Sequence, residues 1–335
     1  MPSIDKNESS TQKKTEFFSR PLRGGVLLIG SLAWQNDLDQ DKHDHIRIDW
    51  RAKHLGPNYT FVKVPIRYGR YSPTKRIVVQ TQASISCHAD EPSLFANIAT
   101  WQHFTPRSAN GHLYSTCSAS SSPLYLPGRY TMVLSKEYEA AGKLGQARVY
   151  PLLQQIPETA FLMKEVKALS KAEGIYKKKG ERKKKGTQPT YLTASWGAVG
   201  IVLAPTLAQG DQKKILTCWQ REQFLESDYI KFFRVGNEAP FIEPTGEVLI
   251  DSLADTAGYD FLLVTVTAPQ CLTAPPSPER QADLTTSRYP TPQEVAELIP
   301  TDSRRYFQQN RAHQIETADD LIILAYLGYE LPPDL

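Results

Sequence analysis

The chain has 335 residues, enough for one large domain or two ordinary ones, and 40% of them are hydrophobic while 22% are charged. Its formal net charge of +3 at pH 7 is too small to indicate nucleic-acid binding by itself. The N-terminus has no signal-peptide pattern and no stretch approaches the roughly 18 apolar residues of a membrane span, so we expect a cytoplasmic protein.

The first predicted element is a buried strand that ends in a glycine–serine corner. It follows residues 1–20, which are rich in Lys, Ser, Thr and Glu and are predicted to be a flexible tail. Residues 26–29 are four consecutive apolar residues, two of them β-branched, as in a buried strand. They lead into Gly30 and Ser31, where the backbone can turn sharply and present its N–H groups. Such a corner can hold a carboxylate without a charged side chain.

Residues 64–72 carry two arginines in a strand-like pattern. Alternation places Arg67 and Gly69 on one side of the strand and Tyr68 on the other. Either Arg67 or Arg70 could pair with a ligand carboxylate through two parallel hydrogen bonds, and a solvated surface position is the alternative for each of them.

An amphipathic helix is predicted over residues 158–174, where apolar residues recur at helical spacing. The next position of the apolar face is Glu173, which falls within about 20° of Leu162 around the helix axis. Gly174 follows as a helix-terminating residue. Burial and the negative end of the helix dipole are both expected to raise the pKa of Glu173, which suits a general base. The alternative is a carboxylate past the last buried turn that faces water.

Residues 177–186 contain seven positive charges and one negative charge. Such a run cannot be buried, so it is predicted to be a solvated loop, with contact to an acidic partner or nucleic acid as the alternative. Residues 194–203 then predict a returning buried strand.

Residues 205–335 contain no motif that indicates a function. Residues 246–250 and 259–266 predict strands, and residues 291–294 predict a helix start with proline at its first position. The apolar run at 321–327 is expected to be buried. We interpret the region as an accessory part that closes a pocket, forms a dimer interface or docks a partner.

Metal and cofactor signals are lacking in the sequence. His43 and His45 lie in an acidic, polar segment without an obvious third ligand. There is neither a Gly-x-Gly-x-x-Gly nor a Walker loop. The four cysteines are scattered without a Cys-x-x-Cys pair, at Cys87, Cys117, Cys218 and Cys271. This spacing argues against a zinc site or a disulfide framework. We therefore expect no metal and no cofactor.

In order and spacing, these motifs resemble the γ-glutamylcyclotransferase-like family. Residues 29–32 (Ile-Gly-Ser-Leu) look like the family's Tyr-Gly-Ser loop, and residues 64–72 resemble its strand that carries Arg and Ser. Residues 130–135 and 145–149 look like the following barrel strands. Residues 169–174 are similar to the segment that supplies the family's acid/base glutamate.

The resemblance implies an α+β fold, a small mixed β-barrel with flanking helices, over residues 21–204. This domain would be interrupted by insertions at 81–127 and 175–190. Residues 205–335 would then form a C-terminal α/β extension.

The resemblance also implies intramolecular acyl transfer in a γ-glutamyl peptide, amine or conjugate. The α-amine of the γ-glutamyl group would attack its own side-chain carbonyl, giving 5-oxoproline and a free amine. Glu173 would transfer the protons. The implied substrate-binding residues are Gly30, Ser31, Leu32, Arg67, Arg70 and Ser72.

The competing hypothesis is a non-catalytic binding protein that reuses this fold and contacts its partner through the pocket or through residues 177–186. Glu173 discriminates between the two hypotheses. The enzyme predicts that Glu173 points into a cavity within reach of residues 30–32, whereas the binding protein needs no such convergence.

Overall fold

The computed structural model describes residues 15–35, 45–73, 128–175, 193–194, 196–221, 230–253, 258–274, 283–302 and 305–330. The predicted insertion at 81–127 and the basic run at 177–186 lie outside the described residues, as do His43, Cys87 and Cys117.

The described residues form twelve strands and seven α-helices. The strands are β1 (Phe17–Leu22), β2 (Gly24–Leu28), β3 (Thr60–Val64), β4 (Ile66–Ser72), β5 (Arg129–Leu134), β6 (Gly145–Pro151), β7 (Ile156–Glu158), β8 (Thr193–Ala194), β9 (Gly197–Leu203), β10 (Phe261–Thr267), β11 (Cys271–Leu272) and β12 (Leu284–Thr285). The helices are α1 (His45–His54), α2 (Lys136–Ala140), α3 (Thr159–Ala172), α4 (Gln209–Arg221), α5 (Pro292–Leu298), α6 (Tyr306–Ala312) and α7 (Asp320–Tyr326).

The centre of the fold is a six-stranded mixed sheet in the order β3-β6-β2-β10-β9-β8. β2 and β10 run parallel, and the other neighbouring pairs are antiparallel. β2, β9 and β10 are buried along almost their whole lengths. Their sequences are nearly continuous apolar runs without alternation, which is the pattern of strands covered on both faces.

The mixed sheet and its helices confirm the predicted α+β class. The closed barrel that the family resemblance implies is not detected among the described strands. They form an open row with β3 and β8 at its ends, and β4 and β5 form a separate two-stranded sheet.

The C-terminal region supplies the middle of the central sheet. β10 follows residue 204 in the sequence but lies between β2 and β9, with Leu263 opposite Val26 on one side and Ile201 on the other. A boundary at residue 204 therefore cuts through one hydrogen-bonded sheet. The strand predicted at 246–250 is not formed there, because these residues make only isolated bridges.

Two further predictions change at the ends of the chain. The tail predicted over residues 1–20 is wrong for its last residues, because β1 begins at Phe17 and pairs with β7. Ser19 is fixed by its side-chain hydrogen bond to the buried Asp211. The apolar run at 321–327 is buried on one face only, since Ile322 is 47% exposed while Ile323 is fully buried.

The helix start predicted at residues 291–294 is confirmed in α5. Thr291 and Glu294 form a reciprocal capping box, and Pro292 occupies the first helical position, where its missing N–H costs nothing.

The two-stranded β4–β5 sheet is attached to the chain just after β10. The Tyr71 N–H donates to the Gln270 carbonyl, and the Gln270 N–H donates to the Gly69 carbonyl, both at 2.8 Å. The β4–β5 register shifts between Tyr68 and Arg70, which makes a bulge at Gly69. The sheet is thereby held beside the end of β10, with a cavity between them.

No described helix is long and apolar enough to cross a membrane.

Candidate active-site cavity

A cavity of about 370 Å³ lies where the end of β2, the β4–β5 sheet, the C-terminus of α3 and β10 meet. Six of the seven candidate residues line it: Gly30, Ser31, Leu32, Arg70, Ser72 and Glu173. The seventh, Arg67, does not line it. Residues that are far apart in the sequence therefore converge on one cavity.

The loop after β2 turns into the cavity as a short 3-10 helix, Ser31–Ala33. Its first internal hydrogen bond runs from the Ala33 N–H to the Gly30 carbonyl at 2.9 Å. The N–H groups of Ser31 and Leu32 precede that bond and have no acceptor within the helix. The described backbone provides no other acceptor for them, so these two donors are available to a ligand.

Position 30 has no room for a side chain, because the Tyr306 hydroxyl lies close to its backbone. A Cβ at this position would lie 2.4 Å from the hydroxyl oxygen of Tyr306, far below a normal contact distance. The absence of a side chain therefore lets the phenol of Tyr306 reach the backbone of the loop.

Glu173 is the C-terminal cap of α3, as the apolar periodicity predicts. Gly174 has a φ of +76° and ends the helix. Its N–H donates to the Lys171 carbonyl, and the N–H of the buried Ile175 donates to the Ser170 carbonyl, both at 3.0 Å. These two bonds form a Schellman motif, which fixes the last turn and the backbone that carries Glu173.

Burial in the cavity raises the pKa of the Glu173 carboxyl. The positive charge of Arg47 and the hydroxyl of Thr265 act in the opposite direction. Arg47 is held near the helix end because its Nε–H donates to the Ala172 carbonyl at 3.2 Å. Among the described residues, the buried Thr265 hydroxyl has no hydrogen bond of standard geometry. A carboxyl with a raised pKa in this position can accept a proton and return it near neutral pH.

Arg70 brings a largely desolvated positive charge to the cavity. Its guanidinium donates to the Ala268 carbonyl at 2.8 Å, and the described part of the chain places no carboxylate beside it. Burial lowers the pKa of Arg70 to about 10, so the group stays cationic at pH 7. A largely desolvated cation with no counter-ion among the described residues is costly and is a suitable partner for an anionic ligand.

Arg67 has a different environment from the one we expected for a substrate-binding residue. Its guanidinium lies between the rings of Tyr138 and Tyr289, 4.2 Å from each centroid. It also donates to Glu137 at 2.9 Å. Of the two arginines, therefore, only Arg70 lines the cavity, and Arg67 is held by partners within the protein.

Other cavity residues were not found by sequence reasoning. Arg47 comes from α1, Arg129 from β5, Thr265 and Thr267 from β10, and Tyr306 from α6. The sequence could have indicated the two threonines as site residues, because they interrupt an otherwise apolar strand at alternate positions and so share one face.

The charges around the cavity favour an anionic ligand. Its described lining contains three arginines, Arg47, Arg70 and Arg129, and one carboxyl, that of Glu173. Arg129 is already paired with the buried Asp302, with 3.7 Å between Nη1 and Oδ1, so one uncompensated positive charge is left. The excess of positive charge attracts and holds negatively charged groups. Within the described ranges, no group of three or more metal-ligating side chains is present, and the described cysteines, Cys218 and Cys271, are buried free thiols.

Comparison with protein-family models, with curated proteins and with solved structures returns no match.

Proposed function

We propose that this protein is a γ-glutamylcyclotransferase-like enzyme that cleaves a γ-glutamyl amide to 5-oxoproline and a free amine. The observation that carries the proposal is the convergence of Glu173 with residues 30–32 in one cavity. The family resemblance requires this convergence, and a fold without that chemistry has no need of it. The small mixed barrel that the resemblance implies belongs to the same proposal.

The cavity contains groups for both charged ends of a γ-glutamyl moiety. The α-carboxylate accepts hydrogen bonds from the N–H groups of Ser31 and Leu32 and pairs with Arg70. The α-ammonium then lies toward Glu173, the only carboxyl that lines the cavity in the described residues. This arrangement bends the substrate so that its α-nitrogen approaches its own γ-carbonyl carbon.

The reaction begins when Glu173 takes one proton from the α-ammonium. The nitrogen lone pair forms a bond to the γ-carbonyl carbon, and the carbonyl π electrons move to oxygen. When the carbonyl re-forms, the bond to the leaving nitrogen breaks, and that nitrogen takes the proton held by Glu173. The new ring nitrogen loses its remaining extra proton to solvent. The products are 5-oxoproline and the free amine.

The nucleophile and the electrophile belong to one molecule, so the protein needs no nucleophilic side chain of its own. The rate gain then comes from orientation of the substrate, from proton transfer and from stabilisation of the oxyanion. The raised pKa of Glu173 suits the proton transfer, because it brings the carboxyl closer to neutral pH.

The test is the release of 5-oxoproline from a panel of γ-glutamyl amino acids, peptides and amines by wild type and Glu173→Gln. We expect product from wild type and a loss of about 10²–10⁴-fold in kcat for the variant, since the amide keeps the shape of the side chain but cannot act as a base.

The matched control is Glu165→Gln, two turns earlier on α3. Glu165 is a buried glutamate that is hydrogen-bonded to His54 at 2.6 Å and lies outside the cavity lining. Its kcat should stay within a factor of about three of wild type, because it belongs to no catalytic contact. Equal activity of wild type and Glu173→Gln would remove Glu173 from the mechanism, and silence of wild type across the panel would favour the binding protein.

A further inference from the structure

Tyr306, from the C-terminal region, is a polar residue of the cavity lining to which the proposed reaction gives no role. It is the first residue of α6 and only 4% exposed, yet it lines the cavity. Its backbone N–H donates to the Asp302 carboxylate at 2.7 Å, which fixes the start of the helix. The position of its ring is therefore set by the fold.

Helix α6 contacts the loop that follows β2 through two residues on one helical face. Tyr306 places its hydroxyl against Gly30, as the 2.4 Å approach of a Cβ built there shows. Asn310, one turn later, accepts a hydrogen bond from the Trp34 Nε1–H at 2.7 Å. The Trp34 and Tyr306 rings are 5.9 Å apart. Helix α6 thus holds the loop whose residues 30–32 line the cavity.

The Tyr306 hydroxyl has a proton to donate. Its oxygen accepts the Met132 N–H at 3.4 Å and also interacts with the Asn310 side chain, whose Oδ1 is already used by Trp34. Among the described residues, no hydrogen bond of standard geometry takes the hydroxyl proton. Burial raises the pKa of Tyr306, so the phenol stays neutral and protonated at physiological pH. A neutral, buried hydrogen-bond donor therefore belongs to the lining of the cavity, beside Gly30 and with the Arg129 guanidinium 5.5 Å from its ring.

We infer that Tyr306 is a further catalytic residue, whose hydroxyl donates a hydrogen bond to the γ-carbonyl oxygen of the substrate as that oxygen becomes an oxyanion. The inference rests on the proposed function. Arg70 and the loop N–H groups hold the α-carboxylate, which leaves the carbonyl oxygen as the substrate atom in need of a donor. No proton is transferred, because the hydroxyl keeps its hydrogen while the negative charge forms and disappears. A fixed donor of this kind stabilises the transition state more than the ground state.

The test compares Tyr306→Phe with Tyr68→Phe. Loss of an oxyanion donor lowers kcat by about 10²–10³-fold, and KM changes by less than about threefold. Tyr68 is a matched control because it is also a buried tyrosine beside α6, with its ring 5.9 Å from that of Phe307. Its hydroxyl has no partner of standard geometry among the described residues and it lies outside the lining of the main cavity. Tyr68→Phe should therefore retain kcat.

A second measurement separates an oxyanion contact from ground-state binding. Substrate affinity is measured in the Glu173→Gln protein, which binds without turnover, with and without Tyr306→Phe. Equal dissociation constants support the inference, because the contact is formed only in the transition state. A loss of affinity as large as the loss of kcat/KM would overturn it and assign Tyr306 to the carboxylate.

The outcomes distinguish this inference from the proposed function. Wild-type activity with an unchanged kcat in Tyr306→Phe overturns the inference and leaves the proposed function intact. An equal loss of kcat in Tyr306→Phe and Tyr68→Phe also overturns it, because packing rather than the hydroxyl would then be the cause. Absence of 5-oxoproline from wild type overturns both.

Discussion

Arg67 and Arg70 lie three residues apart on the same strand, yet their environments differ in every respect that matters for function. Arg67 is enclosed by the rings of Tyr138 and Tyr289 and pairs with Glu137. Arg70 lines the cavity, and its only described hydrogen bond goes to a backbone carbonyl. The first guanidinium has a carboxylate and two aromatic rings as partners, although its Nε has no hydrogen bond of standard geometry in the described structure. The second is desolvated and has no described counter-ion.

The comparison teaches that the unsatisfied cation is the one to consider for binding. A charge that the fold already neutralises contributes to packing, and a charge held without a protein partner costs stability unless a ligand supplies that partner. This cost is acceptable where the site must bind an anion. The two arginines therefore predict opposite outcomes for the same substitution.

Of the arginine substitutions, the largest expected effect is a loss of activity in Arg70→Met. Removal of the cation that we propose pairs with the substrate α-carboxylate should lower kcat/KM by about 10²–10³-fold, since a charge-assisted contact contributes roughly 2–4 kcal/mol. The free energy of unfolding should stay the same or increase, because a desolvated charge disappears. Steady-state kinetics and urea unfolding measure the two quantities. An unchanged kcat/KM would show that Arg70 does not bind the substrate.

The next effect is a loss of stability in Arg67→Met. The variant loses two cation–π contacts and one ion pair, so its free energy of unfolding should fall by about 1–3 kcal/mol. Its kcat/KM, measured where the protein is fully folded, should stay within about threefold of wild type. Unfolding in urea and kinetics on the same preparation check both. If activity falls and stability does not, the contrast between the two arginines is wrong.

A third arginine, Arg47, is expected to affect the pH dependence of kcat/KM. Arg47 lowers the pKa of Glu173, so Arg47→Gln should raise that pKa further above its ordinary value. In the proposed mechanism Glu173 acts as general base and must be ionised, and its ionised form is lost as pH falls through its pKa. The acidic limb of the kcat/KM profile should therefore move to higher pH in Arg47→Gln. Lys53→Gln on the same helix is the control, because Lys53 is exposed and pairs only with Asp49 in the described structure. A limb that moves to lower pH would contradict this prediction.

The smallest expected effect concerns the stability cost of Glu173 itself. Its folded-state pKa is raised above the ordinary value of 4.5, so its contribution is fully favourable below 4.5 and is lost as pH rises through the folded pKa. Glutamine does not titrate. The melting temperature of Glu173→Gln should therefore rise relative to that of wild type as pH increases from 4 to about 8. In free energy of unfolding, this gain should be smaller than the loss expected for Arg67→Met. A difference independent of pH would mean that Glu173 is not desolvated.

The sequence by itself determined the elements whose signals are local. The apolar spacing of α3 placed Glu173 at the end of a buried face, and Gly174 ended the helix through a backbone conformation that glycine readily adopts. The apolar runs of β9 and β10 indicated buried strands. These features depend on residues within a few positions of one another, so periodicity and turn chemistry are sufficient to find them.

Only the tertiary structure decided which of these elements meet. Alternation divides β4 into two faces but does not say which face meets a cavity, and the bulge at Gly69 changes the register between the two arginines. The position of β10 between β2 and β9 and the arrival of Tyr306 beside Gly30 depend on packing between segments that are distant in the chain. Such contacts have no local signature, because their energy comes from surfaces that become complementary only when the whole sheet has formed.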